Sequence, residues 1–281
     1  SNPAGLKTMI SELAEQIKEA ARADPEKLRA FGAESAATAS PRDESGREPA
    51  QRVAARSSQS AQSARPGRAA VGTRASSGIS SGMTAPVRKV IAIGASTGGT
   101  VALAKVVTML PVDAPPVLIV QHMPPVFTRM FAESMNRQSR VTVKEAEDGD
   151  ALLRGRVLVA PGDRHMRVRK AAAGYIVGLS DGEKVSGHRP SVDVLFTSVA
   201  ETVGAEAVAA LLTGMGRDGA DGLLAMRRAG GRCVAQDEAS SVVFGMPREA
   251  WENGAAETLV PIERMAHEIM IRAGGSLMKG A

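Results

Sequence analysis

The sequence predicts an α/β fold: a doubly wound, mostly parallel sheet with helices on both faces and a β-hairpin insertion. Short runs of β-branched residues alternate along the chain with segments of helical periodicity, and this alternation is typical of parallel sheets covered by helices. Two further runs, 165–169 and 175–179, lie on either side of a short turn that ends at Gly174 and predict the hairpin. No internal repeat suggests a different architecture.

The predicted elements follow one another in a clear order. A strand at 89–93 leads through a Gly-rich turn into a helix that ends at about Leu110. A second strand at 117–120 precedes a helix at 128–136. The other predicted elements are strands at 142–144 and 156–160, the hairpin, a buried strand at 207–212, a helix ending at 229, a strand at 232–235 and a closing helix at 263–272.

Composition divides the chain into three regions. Residues 34–87 contain no Phe, Trp or Tyr and consist mostly of Ala, Ser, Arg, Gly and Pro, so we expect a disordered linker that cannot offset its ordering entropy. Residues 1–33 predict an amphipathic helix, which either docks on the body or is the last helix of an upstream domain. The body, 88–281, is long enough to bury a sizeable single core. The apolar residues at helical spacing in the head are Leu6, Met9, Ile10, Leu13 and Ile17.

The charge distribution argues against nucleic-acid binding. The net charge of +5 is concentrated in the linker, which carries seven arginines against four acidic residues, so the body is close to neutral. The chain has only seven aromatic residues and no basic stripe interleaved with them. We therefore expect no nucleic-acid partner.

Cysteine usage and hydropathy indicate a cytoplasmic protein. The one cysteine, Cys233, excludes a disulfide framework, and no charged-then-apolar leader is evident. The longest apolar runs, such as 115–120, are far shorter than the roughly 20 residues that a bilayer span needs. We expect no membrane insertion.

A G-x-S-x-G motif at 94–98 predicts a nucleophilic serine. Ser96 directly follows a buried strand and directly precedes a helix, a context in which a sharp turn exposes the hydroxyl next to unpaired helix N–H groups. A phosphate-binding loop is the competing function, because glycines at a helix start also suit an anion, although the spacing of the common phosphate motifs is absent. A plain strand–helix connector is the third interpretation.

His122 and Asp218 are candidate partners for Ser96. His122 follows the second strand, and Asp218 lies beyond the carboxyl end of the strand at 207–212, so all three residues are expected at one edge of the sheet. Asp221 is a rival to Asp218, and Asp218 with Gly219 is alternatively a helix N-cap. The chain order Ser, His, Asp disfavours the α/β-hydrolase fold, and a dinucleotide-binding fold needs an acidic residue where His122 and its neighbour lie.

Seven motifs together resemble the catalytic domain of the chemotaxis receptor methylesterases, the CheB family, over essentially the whole body. They are IAIGASTGG at 91–99, QHMPP at 121–125, KEAEDG at 144–149, APGD at 160–163, HRPSVDVLF at 188–196, LTGMGRDG at 212–219 and VFGMPR at 243–248. The resemblance implies Ser96 as nucleophile, His122 as general base and Asp218 as the carboxylate that orients it. The implied reaction is hydrolysis of glutamate γ-methyl esters on methyl-accepting chemotaxis receptors, with release of methanol.

The resemblance also bears on neighbouring residues. Backbone N–H groups of Thr97 and Met215 are the candidate oxyanion donors, and the loop that carries His188 is expected at the rim of the site. His165 and His267 are assigned to structure or surface. No cofactor is implied, and no metal, because no group of side chains has ligand spacing.

Partners and alternatives follow from the same family. Its catalytic domain normally follows a receiver domain acted on by a chemotaxis histidine kinase, and residues 1–24 are similar to the last receiver helix. We therefore interpret the chain as the effector half. Glutamine deamidation on the same receptors would use the same three residues, and a non-catalytic receptor-binding or signalling module would have lost one of them.

Overall fold

The computed structural model describes residues 87–275. The predicted head helix, 1–33, and almost all of the predicted linker, 34–87, lie outside the described residues, so these two assignments stay predictions. The strands are β1 (Val90–Ala95), β2 (Val117–Gln121), β3 (Thr142–Glu145), β4 (Arg156–Val159), β5 (His165–Ala171), β6 (Gly174–Ser180), β7 (Ala207–Leu211), β8 (Arg232–Gln236) and β9 (Leu259–Val260).

Seven of these strands form a parallel sheet in the order β3-β4-β2-β1-β7-β8-β9, and β5 and β6 form a separate antiparallel hairpin. The helices are α1 (Gly99–Val107), α2 (Phe127–Gln138), α3 (Val192–Thr202), α4 (Ala220–Arg228), α5 (Met246–Glu252) and α6 (Ile262–Arg272). The predicted fold class is confirmed. The sequence did not predict α3, α5 or β9, and α1 ends about three residues earlier than expected.

Helices cover both faces of the sheet, and the core forms two layers. Side chains of β1 alternate between them, with Ile91 and Ile93 in one layer and Val90 and Ala92 in the other. Such strands are buried on both faces, which explains their continuous apolar runs. The first layer is completed from α1, α2 and α6, and the second from α3, α4 and α5. Within residues 87–275, none of the helices has the length and apolar character required to span a bilayer.

The loops after β1 and β7 lead in opposite directions along the sheet. β1 connects through α1 to β2, whereas β7, on the other side of β1, connects through α4 to β8. The register pairs Ala95 with Gln121 and Gly94 with Leu211. The loops that follow β1, β2 and β7 therefore begin side by side at the carboxyl edge of the sheet. Open α/β sheets bind ligands in the crevice at such a switch point.

The hairpin is anchored to α3. The backbone N–H of Val168 donates to Ser198 Oγ over 3.0 Å, and Thr202 Oγ1 donates to the carbonyl of Val168 over 3.2 Å. The hairpin therefore fixes the position of its first residue, His165, relative to the N-terminal end of α3.

Candidate active site

Ser96 lies in a tight turn between β1 and α1 that is fastened to the loop after β7. Its backbone N–H donates to the carbonyl of Thr213 over 3.0 Å, and its carbonyl accepts from the N–H of Gly99 over 2.8 Å. Gly98 has a φ of 78°, a left-handed conformation that favours glycine. The turn presents a half-buried serine at the N-terminus of a helix.

Gln121 holds the Ser96 turn beside His122. Its side-chain amide Nε2 donates to the carbonyl of Ser96 over 3.0 Å and to that of His122 over 3.2 Å. The backbone N–H of His122 also donates to the carbonyl of Ala95 over 3.2 Å. These bonds join the ends of β1 and β2, so the main chain of the two candidate residues is held together.

His122 contacts Asp218 directly. The distance from His122 Nε2 to Asp218 Oδ2 is 2.7 Å, and both side chains are buried. The rival carboxylate, Asp221, is exposed on α4, and Arg217 Nη2 donates to its two oxygens over 2.8 and 3.0 Å. The structure thus brings His122 together with Asp218 and leaves Asp221 on the surface.

Asp218 also accepts hydrogen bonds from the N-terminus of α3. Its Oδ1 accepts from Ser191 Oγ over 2.8 Å and from the N–H of Asp193 over 3.1 Å, and its Oδ2 accepts from the N–H of Val192 over 2.7 Å. The sequence left open that Asp218 caps the helix that follows it. It caps α3 instead, and the N-cap of α4 is Gly219, without a side-chain bond.

These contacts keep the Asp218 carboxylate charged. Burial by itself raises the pKa of Asp218, but the bond to His122 and the two helix N–H bonds outweigh it and hold the pKa below its ordinary value. An ionised carboxylate against one ring nitrogen fixes the tautomer of an imidazole and stabilises its cation. The other ring nitrogen, Nδ1, is then the one that can exchange a proton.

Comparison with known proteins identifies the family. A family model described as CheB methylesterase matches residues 91–269. The chain belongs to the CheB methylesterase family. The family resemblance inferred from the motifs is therefore confirmed.

Relatives of this CheB domain are similar over about two thirds of the chain. The protein-glutamate methylesterase/protein-glutamine glutaminase 2 of Pseudomonas aeruginosa is 57% identical over 185 residues, which are 66% of this chain and 53% of the relative. The protein-glutamate methylesterase/protein-glutamine glutaminase of Sulfurimonas denitrificans is 58% identical over 177 residues, 63% of this chain and 50% of the relative. The chain therefore spans about half the length of the curated relatives it matches.

A solved structure shares the fold. The crystal structure of the Thermotoga maritima CheB methylesterase catalytic domain aligns with a TM-score of 0.63 at 37% identity, and the alignment covers 64% of this chain and 96% of that chain.

Sequence reasoning missed Ser191, which supports Asp218 directly, and assigned its neighbour His165 only to structure or surface. Ser191 is fully buried; besides its bond to Asp218, its N–H donates to His165 Nδ1 over 3.2 Å and its Oγ accepts from the N–H of Val194 over 3.4 Å. His165 is also buried, and its Nε2 lies 2.8 Å from the carbonyl of Glu183. The sequence pattern around Ser191 could have revealed its role. A serine directly before an apolar run, with an acidic residue in the first turn, is typical of a helix N-cap.

His188 stacks on His122. The two ring centroids are 3.7 Å apart and the ring planes differ by 11°. Burial, together with the nearby His122, lowers the pKa of His188 to about 4, so its imidazole is neutral at physiological pH. The sequence placed His188 at the rim, and the structure places it half-buried against a candidate catalytic side chain.

Thr97 and Met215 are the candidate oxyanion donors. Each directly follows a residue at the contact between the loops after β1 and β7, namely Ser96 and Gly214. Thr97 comes after Ser96, and its carbonyl accepts from Thr213 Oγ1 over 3.0 Å. Met215 comes after Gly214, and its side chain is exposed. Thr97 is thus part of the Ser96 turn, and Met215 is next to a residue that lies against that turn. The role of both amides stays a prediction.

No metal centre is evident within residues 87–275. Across the part of the chain that the structure describes, no group of three or more His, Cys, Asp or Glu side chains is arranged to hold a metal ion.

Proposed function

We propose that this chain hydrolyses glutamate γ-methyl esters on methyl-accepting chemotaxis receptors and releases methanol. The observation that carries the proposal is the 2.7 Å contact between His122 Nε2 and Asp218 Oδ2, at the strand ends where the Ser96 turn is fastened beside His122. A buried histidine–carboxylate pair next to a serine on a tight turn is the arrangement that activates a hydroxyl for acyl transfer.

The reaction proceeds in two halves. His122 Nδ1 takes the proton of the Ser96 hydroxyl as its oxygen attacks the ester carbonyl, and the N–H groups of Thr97 and Met215 stabilise the oxyanion. His122 then gives the proton to the departing methoxide, which leaves as methanol. Water, deprotonated by His122, then attacks the acyl-serine. His122 returns that proton to Ser96 Oγ as the acyl C–O bond breaks, and the glutamate is released. Throughout, Asp218 stays ionised and stabilises the imidazolium.

Deamidation of receptor glutamine is a second candidate activity. The relatives in Pseudomonas aeruginosa and Sulfurimonas denitrificans carry both activities in their names. The same groups would serve, since His122 would protonate the departing amide nitrogen, which leaves as ammonia where the ester loses methanol. The two activities differ in product, so one assay of methanol and one of ammonia separates them.

The biological setting follows from the substrate. The methylated segments of these receptors are cytoplasmic helices, so we place the activity in the cytoplasm. The half of each relative that this chain does not span leaves room for a receiver domain. We propose that the parent protein carries such a domain and that a chemotaxis histidine kinase acts on it.

The test is methanol release from membranes that carry radiolabelled, methylated chemoreceptors. We expect release with the unchanged chain and none with Ser96→Ala, while Ser134→Ala, on α2, retains full release. Ser134 is a suitable control because its hydroxyl contacts Gln138 on the same helix. Release by Ser96→Ala at the unchanged rate would show that Ser96 is not the nucleophile and that the proposed mechanism is wrong.

A further inference from the structure

The loop that carries His188 is built to hold that ring in one place. Val185 and His188 exchange two backbone hydrogen bonds, 3.1 and 2.9 Å, across a two-residue turn in which Ser186 and Gly187 have φ values of 52° and 82°. Positive φ at both central positions defines a tight hairpin turn, and Ser186 is strained there because it has a side chain. Other contacts must stabilise such a turn.

One of these contacts leads back to Asp218. Ser186 Oγ donates to Asp193 Oδ2 over 3.3 Å, and the N–H of Asp193 donates to Asp218 Oδ1 over 3.1 Å. His122 is held by the other oxygen of the same carboxylate. Both rings of the stack are thus linked to Asp218 by hydrogen bonds. His122 bonds to it directly, and His188 is linked through its turn and Asp193.

The two flanks of the turn are anchored as well. On one flank, Arg189 forms hydrogen bonds of 2.6 and 2.9 Å to Asp163 and donates to the carbonyls of Asp181 and Gly182. On the other, the carbonyl of Glu183 meets the buried ring of His165. The loop is therefore held on both sides of His188.

The charge state of the stack is asymmetric. Asp218 lies against His122, whereas burial and the neighbouring His122 and Lys184 lower the pKa of His188, an effect that Asp218 only partly opposes. A neutral, flat ring therefore covers one face of the ring that must carry a positive charge during catalysis. A stacked ring of this kind restricts rotation of its neighbour and keeps water from that face.

We propose that His188 is a positioning residue that acts by stacking, holding the His122 imidazole in the rotamer that contacts Asp218. This inference rests on the proposed esterase function for its kinetic consequence, but the stacking can be measured independently. His188 needs no proton and no hydrogen bond to substrate in this role. It needs only a flat ring.

Three substitutions separate stacking from hydrogen bonding. His188→Ala removes the ring, His188→Phe keeps a flat ring without a ring N–H, and His188→Asn keeps a hydrogen-bonding group without the ring. We expect His188→Ala and His188→Asn to lower kcat about 10- to 100-fold with little change in KM, because the base is misplaced while the substrate still binds. His188→Phe should recover activity to within about threefold of the unchanged chain. His267→Ala, an exposed histidine on α6, serves as the matched control and should leave kcat unchanged.

The second measurement is NMR of the His122 ring. The ring current of a stacked neighbour shifts the His122 carbon-bound protons upfield, so these signals should move downfield in His188→Ala and His188→Asn and stay upfield in His188→Phe. Thermal unfolding of each variant confirms that it is folded. Unmoved His122 signals in His188→Ala would overturn the stacking, whatever the activity.

The two measurements keep this inference distinct from the proposed function. If the unchanged chain releases neither methanol nor ammonia, the proposed function fails while the NMR result still decides the stacking. If His188→Asn is active and His188→Phe is not, His188 acts through a hydrogen bond and the positioning role is wrong. Unchanged kcat in all three variants also contradicts it.

Discussion

Gly214 lies against Ser96 with no room for a side chain between them. A Cβ atom at position 214 would come 2.8 Å from Ser96 Cβ and 2.2 Å from Met246 Sδ. The neighbouring Thr213 carbonyl accepts from the N–H of Ser96, so the loops after β1 and β7 are in direct main-chain contact. The position of the candidate nucleophile thus depends on a glycine 118 residues further along the chain.

Gly214→Ala should therefore lower both the activity and the stability of the protein. The added methyl group pushes on Met246, which can move, and on the Ser96 turn, which cannot move without displacing the hydroxyl. We expect a loss of about 1–3 kcal/mol in the free energy of unfolding from overpacking, and about a 100-fold loss in kcat/KM from misplacement. Gly182→Ala is the control, since its Cβ would meet His165 at an ordinary 3.6 Å. Equal activity in both variants would contradict this account of the turn.

Ser96 and His122 should behave as one unit in methanol release. If they act in the same step, Ser96→Ala, His122→Ala and the double variant each lose about 10⁵- to 10⁶-fold in kcat, because losses of cooperating groups do not add. Receptor pull-down should be almost unchanged in all three, since binding uses a wider surface. Parallel loss of binding and turnover would instead favour a non-catalytic recognition module.

Asp218→Asn should cost less than loss of Ser96 or His122. The amide leaves nucleophile and base in place but removes the negative charge and disturbs the tautomer of His122, so we expect about a 10³- to 10⁴-fold loss in kcat. Asp221→Asn tests the rival directly. Because Asp221 is exposed and paired with Arg217, its substitution should leave kcat within about twofold of the unchanged chain, as for most surface changes. A larger effect at 221 than at 218 would reverse the assignment.

The parts of the fold that the sequence predicted are those with a strong local pattern. The central strands are continuous apolar runs, and Ser96, His122 and Asp218 were singled out because each follows such a run. The elements that were missed have weak patterns. α3 is rich in β-branched valine, α5 has seven residues and β9 has two.

Long-range contacts at the site were beyond sequence reasoning for a different reason. The choice between Asp218 and Asp221 depends on the path of the loop after β7, which spacing does not determine. The bond from Ser191 to Asp218 joins two loops, and so does the stack of His188 on His122. Residue types indicated the chemistry at the strand ends. The packing of α3 against α4 determined which side chains contact Asp218.

Ser191→Ala should weaken catalysis through Asp218. The substitution removes one of the hydrogen bonds to the carboxylate and the side-chain cap of α3, so we expect a loss of about 1–3 kcal/mol in the free energy of unfolding. The pKa of Asp218 should rise, and kcat should fall about 10-fold because His122 is less firmly held. Ser198→Ala is the matched control, as its buried hydroxyl bonds to Leu195 and Val168 but not to Asp218. It should lose similar stability while keeping kcat, and an equal kcat loss would show a merely structural effect.

Asp193 should make the protein less stable as the pH rises from about 4 to 6. Burial, together with the negative charges of Asp218 and Asp221, raises the pKa of Asp193 from 3.8 to about 6, despite the bond it accepts from the N–H of Gly222. Between these two values the folded chain binds more protons at this position than the unfolded chain, so the free energy of unfolding falls as the pH increases. Asp218 has the opposite sign: its lowered pKa contributes stability that is lost only as the pH drops below about 4.

Asp193→Asn removes this penalty, because an amide has no proton to lose and its oxygen can still accept from Gly222. Relative to the unchanged chain, the variant should gain about 1–3 kcal/mol in the free energy of unfolding between pH 4.5 and pH 7.5, measured by urea denaturation at both values. Taking the difference cancels the contributions of all other titrating groups that the substitution leaves alone. Asp221→Asn, which removes only the smallest of the causes that raise the pKa of Asp193, should show a much smaller gain. A constant difference between Asp193→Asn and the unchanged chain at the two pH values would mean that Asp193 ionises normally, and that its carboxylate is better solvated than its burial beside Asp218 indicates.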